Sequence, residues 1–170
     1  MYDALRPQLT LIDPARVKRT VRRMAFQLAE DIPNPENAVL VGLNIRGYII
    51  ALLLGEHLSK AVKHSIPVHQ TNVNTPELAE ADFDTKNKDI ILVDDVLFSG
   101  RTMSRALSVV SGKGEPERIR IAVLVDRGHR KFPLYPEVSG MRYPTKFDEH
   151  VEVVLSDSDS SVSVLLFENS

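Results

Sequence analysis

The chain has 170 residues, 21 Lys and Arg against 23 Asp and Glu, a formal net charge of −2, and no cysteine. That length suits one domain, residues 1–170, with a core of its own. The absence of cysteine excludes disulfides, thiolate nucleophiles and Cys-based zinc sites, and the charge balance excludes a global polycation built for nucleic acid. No apolar stretch is long enough to span a bilayer and the N-terminus shows no signal-peptide pattern, so a cytoplasmic location is expected.

Asp13-Pro14 pairs a good N-cap with a good first helical residue. Val17, Val21, Met24 and Leu28, with Ala25 beside them, recur at helical spacing, which predicts an amphipathic helix from about residue 14 to residue 30, stopped by Pro33 and Pro35. The other face carries Arg16, Lys18, Arg19, Arg22 and Arg23, as a solvated face, an oligomer contact or a grip on nucleic acid. Leu5, Leu9, Leu11 and Ile12 add more apolar surface than one domain needs, so self-association as a dimer, or a tetramer built from dimers, is expected.

Ala38 to Leu43 reads as a buried strand, and Tyr48 to Leu54 as a mostly apolar helix. Between them Asn44-Ile45-Arg46-Gly47 is either a plain turn with a solvated Arg or a pyrophosphate loop, since a guanidinium can pair two oxygens at once. Ile66 to Thr71 is a short edge strand, because Pro67 disfavours a central one. Asn72 to Lys88 is polar and lacks Gly, with one helical piece at Pro76 to Ala81.

The next stretch organises the chain. Ile90-Ile91-Leu92-Val93 runs without polar alternation, as a strand buried on both faces, straight into Asp94 and Asp95. Phe98-Ser99-Gly100-Arg101-Thr102 then offers successive N–H groups, two hydroxyls and a Gly before a helix, a phosphate cradle at a helix N-terminus. Carboxylates beside such a cradle suit ribose hydroxyls or a Mg²⁺-bound ligand; the plainer alternative is a buried strand whose carboxylates cap the turn. Met103, Ala106, Leu107 and Val110 form a helical stripe ended by Gly112 and Gly114, and Ile119 to Val125 is a further strand that delivers Asp126-Arg127-Gly128-His129-Arg130 to the same edge. His129 alone is a surface histidine or a ligand contact. Val151 to Leu155 and Val162 to Phe167, with a Ser/Asp-rich turn between, suggest a terminal hairpin. Strand–helix–strand repetition specifies an α/β fold with a right-handed parallel sheet.

The thirteen residues from Ile90 to Thr102 resemble the signature of the type I phosphoribosyltransferases. There is neither a P-loop nor a dinucleotide fingerprint to compete with it. The resemblance implies a mainly parallel sheet flanked by helices, with a small hood and a C-terminal β-hairpin. It implies a site for phosphoribosyl pyrophosphate (PRPP), with Mg²⁺ held mainly by PRPP. Asp94 and Asp95 would be the catalytic carboxylates. Leu97, Phe98, Ser99, Gly100, Arg101 and Thr102 would hold the 5-phosphate, and Asn44, Ile45, Arg46 and Gly47 the pyrophosphate.

Leu124 to Arg130 followed by Pro133, the first helix, Val41 to Gly47, Gly140 and Pro144-Thr145 resemble the pyrimidine operon regulators that double as uracil phosphoribosyltransferases. That likeness implies that Val125, Asp126, Arg127, Gly128 and His129 face the base. Purine-type members usually carry an Asp where this chain has Phe98, which cannot exchange a proton, so uracil, with UMP as product, is the expected base. An RNA face would carry Arg19, Arg22, Arg23 and Arg142. The resemblance implies His, Arg and Lys where this chain has Phe26, Tyr135 and Met141, so weak, salt-sensitive and largely nonspecific RNA binding is expected. It also implies a closing loop within Asn72 to Lys88 with a Tyr-Arg-Asp-like sequence, which this chain lacks. Three readings follow: a uracil phosphoribosyltransferase, a nucleotide sensor with little turnover, and a ribose-phosphate enzyme acting on another base.

Overall fold

The structure is a computed structural model that describes residues 9–74, 83–158 and 160–168. In chain order the elements are β1 (Leu9–Ile12), α1 (Pro14–Glu30), a 3-10 turn (Pro35–Asn37), β2 (Ala38–Leu43), α2 (Asn44–Val62), β3 (Val68–Thr71), β4 (Asp89–Leu97), α3 (Arg101–Gly112), β5 (Arg118–Asp126), β6 (Val138–Arg142), β7 (Glu149–Leu155) and β8 (Val162–Glu168). Five strands form one parallel sheet in the order β3-β2-β4-β5-β6. Both faces are covered, which is why β2 and the Ile90 to Val93 run of β4 are apolar. One face packs on Val17, Val21, Met24 and Leu28 of α1 and Ile50, Leu54 and Leu58 of α2; the other packs on Met103, Ala106 and Val110 of α3.

The α1 boundaries match the expected ones, and the Asp13 carboxylate accepts the Arg16 N–H at 2.7 Å as the N-cap. α2 runs on to Val62 instead of ending at Leu54, because Leu54, Leu58 and Val62 continue one apolar stripe at helical spacing. The edge strand shortens to Val68–Thr71, and Pro67 lies just outside it with its carbonyl accepting the Leu40 N–H. The expected helical piece Pro76 to Ala81 lies outside the described residues, as does Leu5.

The hood is a three-stranded antiparallel sheet in the order β1-β8-β7. The expected hairpin is there, but β1 also joins it. This corrects the argument for self-association, because Leu11 and Ile12 are buried in the chain's own core while Leu9 alone of the described three is exposed. β6 is the second strand that the sequence hides. Val-Ser-Gly-Met-Arg shows neither an apolar run nor alternation, yet it pairs in parallel with β5 at the sheet edge. No helix of the described residues is long and apolar enough to cross a membrane.

At the amino ends of the strands lies a buried ionic cluster. The Arg120 guanidinium, only 2% exposed, donates from Nε and Nη2 to Glu137 and lies 3.7 Å from Asp89. Arg118 donates to both Asp89 oxygens and to the carbonyl of Asp31.

Candidate active site

All five strands of the main sheet run the same way, so the loops after β2, β3, β4 and β5 converge at one edge, where open α/β sheets bind ligands. Asp94 and Asp95 do not stand at an exposed strand end, as expected from the sequence; β4 continues to Leu97, with Asp94 in register with Val123. Asp94 is 7% exposed and Asp95 is half-buried. The Asp94 Oδ1 accepts the Asp95 N–H at 2.9 Å. Burial first, and then the charge of Asp95, push the Asp94 carboxyl well above its ordinary value of 3.8.

The first turn of α2 packs directly on this pair. A Cβ at Gly47 would lie 2.6 Å from the Val93 carbonyl oxygen and 3.3 Å from the Asp94 Oδ1, and one at Gly42 would lie 2.2 Å from the Tyr48 Cα. The β2–α2 corner can therefore close only with glycine at both positions. Gly47, expected to face pyrophosphate, is buried, and its visible role is this close approach. We expect Gly47→Ala to lift α2 from β4, costing about 1–3 kcal/mol of stability and weakening ligand affinity; urea melts and ligand titration check both.

Asn44 sits at φ 55, a region that Asn tolerates better than most residues, and its Oδ1 accepts the Val73 N–H at 3.3 Å. This ties the start of α2 to the chain after β3. Together these segments enclose a cavity of 430 Å³ lined by Asn44, Ile45, Arg46, Asn72, Asn74, Asp94 and Asp95, with Leu43 at its base. Asn72 and Asn74 carry no sequence signal; only the parallel pairing of β3 with β2 brings them here. Arg46 reaches across to the hood, with Nη2 2.5 Å from the Glu152 Oε1 on β7.

The turn after β4 leads directly into a helix N-terminus. Gly100 at φ 87 reverses the chain into α3, whose N-terminus, the positive end of the helix, has no side-chain cap from Gly100. The Ser99 carbonyl accepts N–H groups from Lys131 and Phe132, and its Oγ accepts that of Arg101 at 3.3 Å. The Leu97 side chain belongs to the core, whereas Arg101 is exposed and Thr102 half-buried. Arg101 also borders a 720 Å³ hollow with Ser104 and Arg105, one turn further along α3.

The loop after β5 builds a smaller cavity of 140 Å³, lined by Phe98, Arg127, His129, Lys131, Lys146 and Phe147. The Arg127 guanidinium lies 4.2 Å over the Phe98 ring, and donates to the Thr145 Oγ1 and the Glu149 carbonyl. Burial lowers its pKa from the ordinary arginine value. The His129 ring stands between Phe98 and Phe147, at centroid distances of 5.9 and 6.0 Å.

Two residues expected to face the base turn elsewhere. Val125 packs into the core, and the Asp126 carboxylate accepts the Gly128 N–H and a hydrogen bond from Arg130. Arg130 was not anticipated as a site residue. It donates also to the carbonyls of Leu97, Phe98, Gly128 and Leu134, and so ties the turn after β4 to the loop after β5.

On the remaining candidate face, Arg23 donates to Gln27 and to the Ser139 and Gly140 carbonyls of β6, while Arg22 lies 5.7 Å from the Phe26 ring. Arg19 and Arg142 are exposed.

Comparison with known proteins matches residues 10–158 to the model of the phosphoribosyl transferase domain. Curated relatives include "Bifunctional protein PyrR" of Picosynechococcus, 34% identical over 170 residues with 93% of this chain and 96% of that protein covered. The protein of the same name from Clostridium novyi is 37% identical, covering 93% and 96%. Among solved structures, a hypoxanthine phosphoribosyltransferase of Trypanosoma cruzi superposes with a TM-score of 0.77 at 13% identity, over 96% of this chain and 98% of that one. A hypoxanthine-guanine phosphoribosyltransferase of Bacillus anthracis gives 0.76 at 18% identity, over 95% and 99%. At those identities the likeness is one of fold.

Proposed function

This chain belongs to the phosphoribosyl transferase domain family, and we propose that within it the protein joins uracil to PRPP, forming UMP and pyrophosphate. The observation that carries the choice of base is the 140 Å³ cavity: its lining includes Phe98 and three cations and, among the described residues, no carboxylate that could exchange a proton with a purine ring. A cavity rich in donors suits the two carbonyl acceptors of a pyrimidine.

In this reading Ser99, Gly100, Arg101 and Thr102 bind the 5-phosphate through backbone N–H groups and hydroxyls. Asp94 and Asp95 hold the ribose hydroxyls and stabilise positive charge as it grows at the anomeric carbon. Arg46, with the Asn44 to Gly47 turn, receives the leaving pyrophosphate. The chain acts by positioning and fixed charge. Mg²⁺ fits the same place. No cluster of three or more metal-ligating side chains occurs among the described residues, but Mg²⁺ commonly takes one or two carboxylates and completes its shell with water and substrate phosphates. Asp94 and Asp95 are such a pair, and the like-charge burden on Asp94 is what a cation would relieve. When bound, Mg²⁺ supplies charge neutralisation to the pyrophosphate.

The sensor reading draws on one contact. Arg46 is already paired with Glu152, so a pyrophosphate must compete for it. Self-association and a cytoplasmic setting belong to the same proposal. RNA binding is expected to stay weak, because Arg23 is spent on β6 carbonyls and Arg22 on Phe26.

The test is turnover of PRPP with a panel of free bases. Uracil should exceed hypoxanthine and guanine in kcat/KM by at least about a hundredfold. A purine preference would overturn the choice of base, and binding without turnover of any base would favour the sensor.

A further inference from the structure

A pyrimidine attacks through a ring nitrogen that begins with a proton, and among the described residues no carboxylate lines the base cavity to take it. We propose that His129 is the proton acceptor, through its Nδ1. This rests on the phosphoribosyltransferase reading above.

The tautomer follows from one contact. The His129 Nε2 lies 2.6 Å from the Thr145 carbonyl oxygen. A carbonyl oxygen can only accept, so Nε2 must carry the hydrogen, and the neutral ring keeps its lone pair on Nδ1. Among the side chains lining the cavity, Phe98 and Phe147 have no acceptor, and Arg127, Lys131 and Lys146 are donors. Among the described residues, His129 is the one lining side chain able to accept a proton there.

The backbone holds the ring in place at some cost. Gly128 at φ 77 and His129 at φ 55 are successive left-handed residues, and a non-glycine residue in that region costs about 1–2 kcal/mol. The turn is pinned on both sides: the Asp126 carboxylate accepts the Gly128 N–H at 3.0 Å, and the Gly128 carbonyl accepts from Arg130 at 3.1 Å. Strain of this kind persists where the surroundings over-determine it, and such places cluster at functional sites.

The step balances as follows. The base N–H bond breaks and its electron pair becomes the new bond to the anomeric carbon. The bond from that carbon to the pyrophosphate oxygen breaks, and pyrophosphate leaves with the pair. The proton passes to Nδ1, giving an imidazolium that later returns it to water. The charged groups facing the ring are Arg127 from the end of β5, Lys131 from the following loop, and Lys146 from the loop before β7, whose ammonium lies 3.9 Å from Glu149. These cations favour negative charge on the base as the proton leaves.

The test is His129→Asn. Asn tolerates the left-handed backbone and takes no proton; the longer Gln places its amide nearer the Nε2 position that donates to Thr145. With uracil, kcat should fall by about 10²–10⁴-fold, while PRPP affinity stays within about twofold. The acid limb of the kcat/KM–pH profile should vanish. With 5-fluorouracil, whose ring N–H is more acidic, the deficit should be at least about tenfold smaller, as expected for general-base catalysis. If the Asn variant loses its cooperative melt, His129→Gln is judged by the same criteria. A folded variant within about threefold of wild-type kcat, or one that keeps the acid limb, overturns the role of His129 alone. A wild-type protein that binds PRPP and turns over no base overturns the phosphoribosyltransferase reading and this inference with it.

Discussion

Asp94→Asn and Asp95→Asn should each lower turnover by about 10²–10³-fold, the usual cost of removing a fixed group that stabilises transition-state charge, and Asp94→Asn should at the same time make the ligand-free protein more stable at pH 8. The two effects share one cause. Asp94 is buried beside another carboxylate, and its pKa is raised above 3.8 by burial first and by Asp95 second. The unfolded chain gives up this proton near the ordinary value, whereas the folded chain keeps it to higher pH. Below the ordinary value both states are protonated, and the group has no effect on folding. Between the ordinary value and the raised folded value only the unfolded chain has released the proton, so stability falls across that window. It stays lowered above the window, where the folded state holds a buried charge. Asn carries no charge and can still accept the Asp95 N–H. The melting-temperature gain of Asp94→Asn should therefore be present at pH 8 and shrink toward pH 4. A wild-type protein more stable than the variant at pH 8 without ligand would show that the pair is already compensated.

Arg120→Ala should be the most damaging single change to stability, at about 3–5 kcal/mol in urea melts, toward the lower end because Glu137 is 41% exposed and partly screened. Arg120 lies on β5, between β4, which begins with Asp89, and the segment leading into β6, which carries Glu137. Removing it leaves a void and takes one of the two guanidinium partners from Asp89, which then depends on Arg118. Arg120→Met, which fills the space, should recover part of the loss. The cluster sits at the amino ends of the strands, away from Asp94 and Asp95, so activity per folded molecule should hold. The Arg120 Nη1 is buried with no hydrogen-bond partner among the described residues. A loss below about 1 kcal/mol would mean that this missing hydrogen bond offsets most of what the pairs contribute.

The main sheet was legible because a strand buried on both faces announces itself. Ala38 to Leu43, Ile90 to Val93 and Ile119 to Val125 are apolar runs, and β2, β4 and β5 are built on them. The turn into α3 was legible because Ser99-Gly100-Arg101-Thr102 is contiguous. What stayed hidden depends on partners distant in sequence. β1 is a strand only because β8 returns beside it, and the short, Gly-containing β6 only because β5 offers an edge. Asn72, Asn74, Lys146 and Phe147 line cavities through topology alone. Burial of Asp94 was missed for a related reason. Two charged residues after an apolar run look like its solvent end, yet here β5 and the first turn of α2 enclose the first of them. Arg130 had a faint signal, an acidic residue four positions before it at Asp126, which in a helix would be an ordinary surface pair and here ties together two loops.

Calorimetric titration of PRPP with Mg²⁺, into the wild-type protein and into Asp95→Asn, tests most directly that the carboxyl end of β4 is a PRPP site. The predicted result is saturable binding of one PRPP per wild-type chain, and affinity at least about tenfold weaker in the variant, since a charge-assisted hydrogen bond is worth about 1.5–3 kcal/mol. Wild-type protein that takes up no PRPP, or a variant that binds it as tightly as wild type, would contradict the assignment.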